Sequence, residues 1–426
     1  MDVVALVVGI VVGAGIFRTP SVVAGGASSE AAVVAAWVAG GAISLVGAMC
    51  YAELATAYPN AGGEYHYLLR AFGRRLAFLF AWARLTVIPT GSIALVSYVF
   101  GDYASQLVPL GGHSAAIYAA ASVVALTAVN AAGITLGKWT QNVMTIGVVF
   151  GLAAVVAAGF LAPPVEAAPA ASGSGTAWGL MMVFVLLTYG GWNEAAYISA
   201  EVRGGRRTIA WALIGSLALV TALYVLANVA FLRGLGLTGT AGSDAVAADL
   251  MARVTGGGGA TAISLIVCLA ALTTANATTL MGARTSFALG RDFALFAPLG
   301  RWNDRAGGPV TALVVQGAIS LALVGFGAWT REGFETMVGY TSPVFWFFFM
   351  MTGVALVVLR VREPEAHRPF RVPLYPLTPI AFAATCGYLL YSSVAYTKAG
   401  AVVGVAVLLA GLVPLSMNRR RSSRKD

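Results

Sequence analysis

Charge is what this 426-residue chain has least of: Asp, Glu, Lys and Arg make up only 10% of it, against 59% hydrophobic residues. Such a composition cannot cover a soluble globule of this size with polar surface, which excludes an ordinary water-soluble enzyme or binding module. Histidine and cysteine are equally scarce, at three each. Cys50, Cys268 and Cys386 all fall in apolar runs, are odd in number and form no C-x-x-C pair, so neither a disulfide framework nor a zinc site is expected. His66, His113 and His367 are scattered without ligand spacing, and no metal role is assigned to them. The apolar runs hold no paired Asp, no His-Glu-x-x-His and no Ser beside a base, so the chain is not read as an enzyme. Its net charge of +9 is crowded into certain connections, which reports topology and not a nucleic-acid partner.

What is there is apolar length. Continuous runs of about 20 residues or more predict membrane-spanning helices, whereas strands of an outer-membrane barrel would alternate apolar and polar residues. Twelve spans are expected, at residues 3–24, 31–57, 76–107, 113–132, 139–162, 176–200, 207–232, 258–289, 309–328, 333–360, 375–396 and 398–417. The chain is therefore an all-α polytopic membrane protein, one transmembrane domain whose natural solvent is the lipid bilayer. An even number of spans puts both termini on one side, and the connections of that side carry nineteen Lys and Arg against four on the other. By the positive-inside rule the termini lie in the cytoplasm and the protein in the cell membrane. The first run carries no A-x-A cleavage site and Met1 stands at its mouth, so no cleavable leader is expected. The basic tail at 418–426 is read as a topology anchor.

Two of these spans are interrupted. The first reads Val8-Gly9-Ile10-Val11-Val12-Gly13-Ala14-Gly15-Ile16-Phe17, with three glycines where a spanning helix should be most regular. A break there frees N–H and C=O groups at membrane depth, which hydrocarbon does not tolerate unless protein or a ligand satisfies them. On this stretch alone two readings are open: a binding site, or a small-residue packing face. The sixth span supplies the second break, Leu187-Thr188-Tyr189-Gly190-Gly191-Trp192-Asn193-Glu194. Five spans follow from each break, at 1–162 and 176–360, with two more at 375–417, so that spans one and six cross the membrane in opposite senses. Matched breaks in inverted repeats are the sequence mark of a transporter with discontinuous helices.

These residues resemble the amino acid-polyamine-organocation superfamily, and within it the bacterial relatives of L-type amino acid transporters. Gly13-Ala14-Gly15-Ile16-Phe17 with Pro20 is similar to the first-helix signature, and Cys50-Tyr51-Ala52-Glu53-Leu54 with Pro59-Asn60-Ala61-Gly62-Gly63-Glu64-Tyr65 to the second helix and its loop. Tyr189-Gly190-Gly191-Trp192-Asn193 with Glu201-Val202 resembles the sixth helix, Ala288-Leu289-Gly290-Arg291-Asp292 the exit of the eighth, and Arg368-Pro369-Phe370-Arg371-Val372-Pro373 the loop of the last repeat. The resemblance implies a LeuT-type fold of 5+5 inverted helices that moves amino acids by alternating access, in symport or exchange.

An amino acid needs donors for its carboxylate and acceptors for its ammonium. The amides of Gly13, Ala14 and Gly15, at the positive end of a half-helix, suit the carboxylate. Carbonyls near Ile10, Val11, Leu187, Thr188 and Gly190 suit the ammonium, and Asn193 completes the expected substrate contacts. Leu187 stands where many relatives place a gating Phe, and Ala14 where Ser is common. Relatives that carry a fixed Lys in the fifth helix have Val148 as its counterpart here, the nearest Lys being Lys138. A mobile coupling ion, sodium or a proton, can fill that role: carbonyls of Gly9 and Val12 with the hydroxyls of Thr273 and Thr274 form a candidate oxygen site, unless both threonines simply bond their own helix. Arg18, Arg84 and Glu194 lie inside spans and each requires a cavity or a partner; Arg84 with Glu194 is the candidate inner gate. Glu53 and Glu201, amid arginines at cytoplasmic ends, are expected in ion pairs. The competing function is a polyamine or other organic-cation permease, which calls for acidic residues lining the site, of which the spans offer few besides Glu194.

Overall fold

The computed structural model describes residues 11–60, 62–133, 138–165, 178–194, 206–396 and 398–416. Its helices, in chain order, are α1 (Thr19–Gly26), α2 (Glu30–Ala57), α3 (Glu64–Phe72), α4 (Arg74–Thr86), α5 (Ile88–Leu107), α6 (Ser114–Ala131), α7 (Lys138–Leu161) and α8 (Trp178–Thr188). They continue as α9 (Arg206–Ala241), α10 (Val246–Thr255), α11 (Gly257–Asp292), α12 (Val310–Thr330), α13 (Gly333–Arg362), α14 (Leu377–Tyr396) and α15 (Lys398–Ala410). Among the described residues nine helical stretches are long and apolar enough to cross a bilayer, α4 and α5 counting as one. The spans expected at 3–24, 139–162 and 176–200 are not among those nine. The first and sixth are broken and run partly outside the described residues, and the fifth contributes the shorter apolar stretch Ile146–Leu161.

The chain divides into two compact units, and neither is continuous in sequence. The first comprises Met1–Ala77, Val148–Ile263 and Trp346–Ser393, the second Phe78–Gly147, Ser264–Phe345 and Val394–Asp426. In the first unit α2 serves as the post against which α8 and α9 pack. Lipid supplies no hydrophobic drive between apolar helices, so close approach of small residues has to do it. A Cβ on Gly41 would stand 2.2 Å from Thr221 of α9, and one on Gly47 2.8 Å from Trp192. Large rings fill the space beside these bare positions: Trp37, Tyr189 and Tyr224 form one buried cluster, and Tyr51, Trp192, Phe349 and Phe382 another.

Polar links pin the ends of this unit. At one end Glu53 is wholly buried and takes a forked pair from Arg360 (Nε 2.6 Å, Nη2 2.5 Å), a third contact from Arg368 at 3.4 Å and the Val372 N–H at 2.6 Å. This is the ion pair expected of Glu53, whereas Glu201 lies outside the described residues. Beside it Arg70 of α3 forks onto Glu363 at 2.8 and 2.9 Å, which holds the Glu363 carboxyl below the usual carboxylate range. All of these charges sit near one another at helix ends and in the connections beside them. In the second unit α5, α6 and α12 pack together, and Asn130 of α6 donates to Asn276 of α11 at 2.8 Å, each Asn meeting part of the other's buried hydrogen-bonding need.

Candidate functional site

Both interruptions read from the sequence are interruptions of the structure. Val11 is helical, Gly13 is extended (φ −99°, ψ −175°), and a 3-10 turn over Ala14–Phe17 leads through Arg18 into α1, with Pro20 in its first turn. The first N–H groups of such a turn have no partner inside it, so Ala14 and Gly15 present amides at the head of the segment. In the second, α8 stops at Thr188, Gly190 N–H closes back on Leu187 C=O at 3.0 Å, and a short 3-10 turn covers Trp192–Glu194. Gly191 at φ +108° takes a conformation that side-chain-bearing residues rarely adopt, and this is why glycine follows glycine there.

The two breaks meet within the first unit. A Cβ on Gly15 would lie 3.3 Å from Cγ2 and 3.5 Å from Oγ1 of Thr188, so the bare Cα of one break is what lets the other approach. Their hydroxyl link has a definite direction. Thr188 Oγ1 donates its one hydrogen to Phe184 C=O at 2.9 Å, so in the 2.6 Å contact with Thr19 Oγ1 it is Thr19 that donates. Tyr224 of α9 donates to the Val11 carbonyl at 2.8 Å, and Gly13 N–H reaches the same oxygen at 2.8 Å. Both lone pairs of Val11 are thus engaged in this conformation, while Leu187 C=O keeps one beyond its bond to Gly190.

Of the residues expected to contact substrate, Val11, Gly13, Ala14, Gly15, Leu187, Thr188, Gly190 and Asn193 are described and belong to the first unit; Ile10 lies outside the described residues. Asn193 is buried directly after the second break. Gly9 of the expected cation set is also outside, Val12 belongs to the first unit, and Thr273 and Thr274 belong to the second. Thr273 donates to Leu269 C=O at 2.8 Å, the helix-internal bond that competes with an ion-binding role. Glu194 belongs to the first unit and Arg84, which is buried, to the second. Arg18 has the partner its position required: Asp244, at 2.9 Å.

Sequence reasoning missed two groups that shape this site, Thr19 and Tyr224. Thr19 stands beside the signature it supports. For Tyr224 the available signal was a phenol inside an otherwise apolar span, where a buried hydroxyl must find a partner.

Apolar helices of membrane-crossing length, together with two glycine-broken segments that meet within one unit, define an integral membrane protein with interrupted helices. Residues 1–415 match the family described as amino acid permease, and the chain belongs to that family, one of permeases and not of enzymes. It is similar to the b(0,+)-type amino acid transporter 1 of Mus musculus, with 31% identity over 383 residues, 87% of this chain and 77% of that protein. It also resembles the human cystine/glutamate transporter, 26% identical over 420 residues (96% of this chain, 82% of that one). The large neutral amino acids transporter small subunit 2 of Oryctolagus cuniculus is 27% identical over 423 residues, with 96% and 77% covered.

Proposed function

We propose that this protein carries amino acids across the cytoplasmic membrane as a secondary active transporter. Transport is by symport or exchange, with alternating access in a LeuT-type fold of 12 spans, 5+5 inverted plus two, and both termini cytoplasmic. The observation that carries the reading is the meeting of the two breaks, Gly15 against Thr188, in a chain of the amino acid permease family. The substrate carboxylate goes to the amides of Ala14 and Gly15, joined by that of Gly13 once it leaves Val11 C=O, and the ammonium to carbonyls around Leu187, Thr188 and Gly190 with Asn193 beside them. The division into units supports the repeat. The first unit holds the helices of spans one, two, six and seven, the second all of four and nine and most of three and eight, which both begin in the first unit, and spans five and ten are each divided more evenly between units. Corresponding spans of the two repeats are treated alike throughout. Relatives named for cystine, glutamate and large neutral amino acids favour amino acids over polyamines.

The coupling ion is sodium or a proton, with the oxygens of Gly9, Val12, Thr273 and Thr274 as the sodium candidate. Arg84 and Glu194 are proposed as an inner gate. Exchanging the two charges should restore transport that each single reversal abolishes; a double reversal as inactive as the singles removes the gate. The function is tested by reconstitution into liposomes with a panel of labelled amino acids, under proton and sodium gradients imposed separately. Accumulation of amino acids, and of no polyamine, is the expected result. Uptake indifferent to sodium at fixed pH would remove the sodium site and leave the proton.

A further inference from the structure

Arg18 ends the same short turn whose first amides form the candidate carboxylate seat. Its N–H closes that turn on Gly15 C=O at 3.1 Å, so the Arg18 backbone caps the segment that carries the seat, roughly 6 Å beyond Gly15 along the axis at about 2 Å per residue. Neutral oxygens hold the guanidinium in place: Nη1 donates to Ser21 Oγ at 2.6 Å and to Ser243 C=O at 3.3 Å. Its counter-charge is of another kind. Asp244 meets Nη2 at 2.9 Å from the connection between α9 and α10, and the Arg18 side chain is 12% exposed while that of Asp244 is 75% exposed. The contrast with Glu53, wholly buried and gripped by two arginines and an amide, is instructive. One acid is built into the protein; the other reaches in from water to a positive group already secured by its neighbours.

We propose that Arg18 is a capture station for the α-carboxylate of an arriving amino acid, and that Asp244 is its resident occupant, displaced by each substrate. The proposal rests on the amino acid transport reading above, and Arg18 acts on the side that the charge asymmetry makes external. A carboxylate replacing a carboxylate keeps Arg18 paired, so the exchange does not leave its guanidinium uncompensated. Asp244 is itself 75% exposed, so water compensates its carboxylate once it leaves, and it yields to a carboxylate that takes its place. Once it has, the substrate carboxylate is held by the residue that caps the turn bearing the amides of Ala14 and Gly15. Handover releases Arg18 to take Asp244 back, and the returning contact ties residues 243–244 to the start of α1 behind the substrate. Ser243 Oγ, bonded to Asp249 at 2.5 Å and accepting from Ala245 N–H at 3.2 Å, keeps that loop shaped for the return.

The test measures KM for labelled L-leucine and L-alanine from each side of proteoliposomes of uniform orientation, for the unaltered protein and for Asp244→Asn, Arg18→Gln and Arg18→Lys. Removing the resident carboxylate should lower the external KM by about two- to fivefold, the weight of an exposed pair. Arg18→Gln should raise it by about tenfold or more, the loss of a charged hydrogen bond, with Arg18→Lys between. Neither should move the KM measured from inside. An external KM that rises in Asp244→Asn, or is unchanged in Arg18→Gln, overturns the station while transport itself stands. Because Asp244 is exposed, its variant decides the matter even if Arg18→Gln does not fold. If the unaltered protein carries neither amino acid nor any other of the panel, the transport reading falls and the station with it.

Discussion

Replacing Glu53 by Gln removes one negative charge from the most deeply buried ionic cluster described in the first unit. Four contacts converge on that carboxylate, two from Arg360, one from Arg368 and one from the Val372 amide, and its exposure is 0%. Glutamine keeps an acceptor oxygen but turns an NH2 group toward the guanidinium, leaving a buried cation uncompensated. Breaking a buried pair from one side costs about 3–5 kcal/mol. The lower end applies here, because the Arg360 side chain is 17% exposed and water can partly replace the acid. About 3 kcal/mol is a large fraction of the roughly 5–15 kcal/mol that holds a protein folded. Arg368 is the less affected partner, since it also donates to the carbonyls of Leu359, Glu363, Pro364 and Ala366. The assay is a double-mutant cycle on unfolding in detergent with Glu53→Gln and Arg360→Gln. Glu53→Gln should be the more damaging single change, and adding Arg360→Gln to it should cost far less than in the unaltered protein. Additive effects, or a loss below about 1 kcal/mol for Glu53→Gln, would show the cluster to be no better than an exposed pair and refute the reasoning.

Three further outcomes are expected. Gly15→Ala drives a methyl toward Thr188, and overpacking of about 1–3 kcal/mol should slow uptake roughly tenfold; Thr188→Ser, which deletes the opposing Cγ2 and keeps the hydroxyl, should restore it, and no rescue would mean the contact is not the cause. Tyr224→Phe loses a bond worth about 0.5–1.5 kcal/mol, but Val11 C=O retains Gly13 N–H, so KM should rise about three- to tenfold with yield unchanged. Burial, then the nearby Arg70, lowers the His66 pKa in α3, so the neutral ring is the form that fits the fold. Its contribution is full above the unfolded value near 6.5 and is lost as pH falls from there through the lower folded value; a thermal-stability profile should decline across that window and flatten in His66→Gln.

Nine of the twelve expected spans and both breaks were legible in the sequence, because each leaves a local mark: apolar length for a span, glycine inside it for a break. Membrane solvation makes these marks strict, since a freed amide at that depth must have a partner. The contacts that join the breaks were not legible. Tyr224 reaches Val11 across more than two hundred residues, and no local pattern encodes that distance. Structure inside one connection was not legible for a related reason. The segment 234–259, rich in Gly, Ala and Ser, contains helix α10, whose Val246, Ala247, Ala248 and Leu250 are buried. A single short apolar face of that kind is too small to register beside spans of twenty apolar residues or more.

The central claim, that the facing breaks bind and carry amino acids, is met most directly by counterflow. Proteoliposomes are loaded with an unlabelled amino acid, diluted into a trace of the same labelled amino acid with no ion gradient, and sampled over time. The account predicts transient accumulation of label above equilibrium, reached roughly tenfold more slowly in Gly15→Ala and at the original rate in the double variant Gly15→Ala/Thr188→Ser. Label that never exceeds the empty-liposome level for any amino acid, with overshoot for spermidine instead, would contradict it.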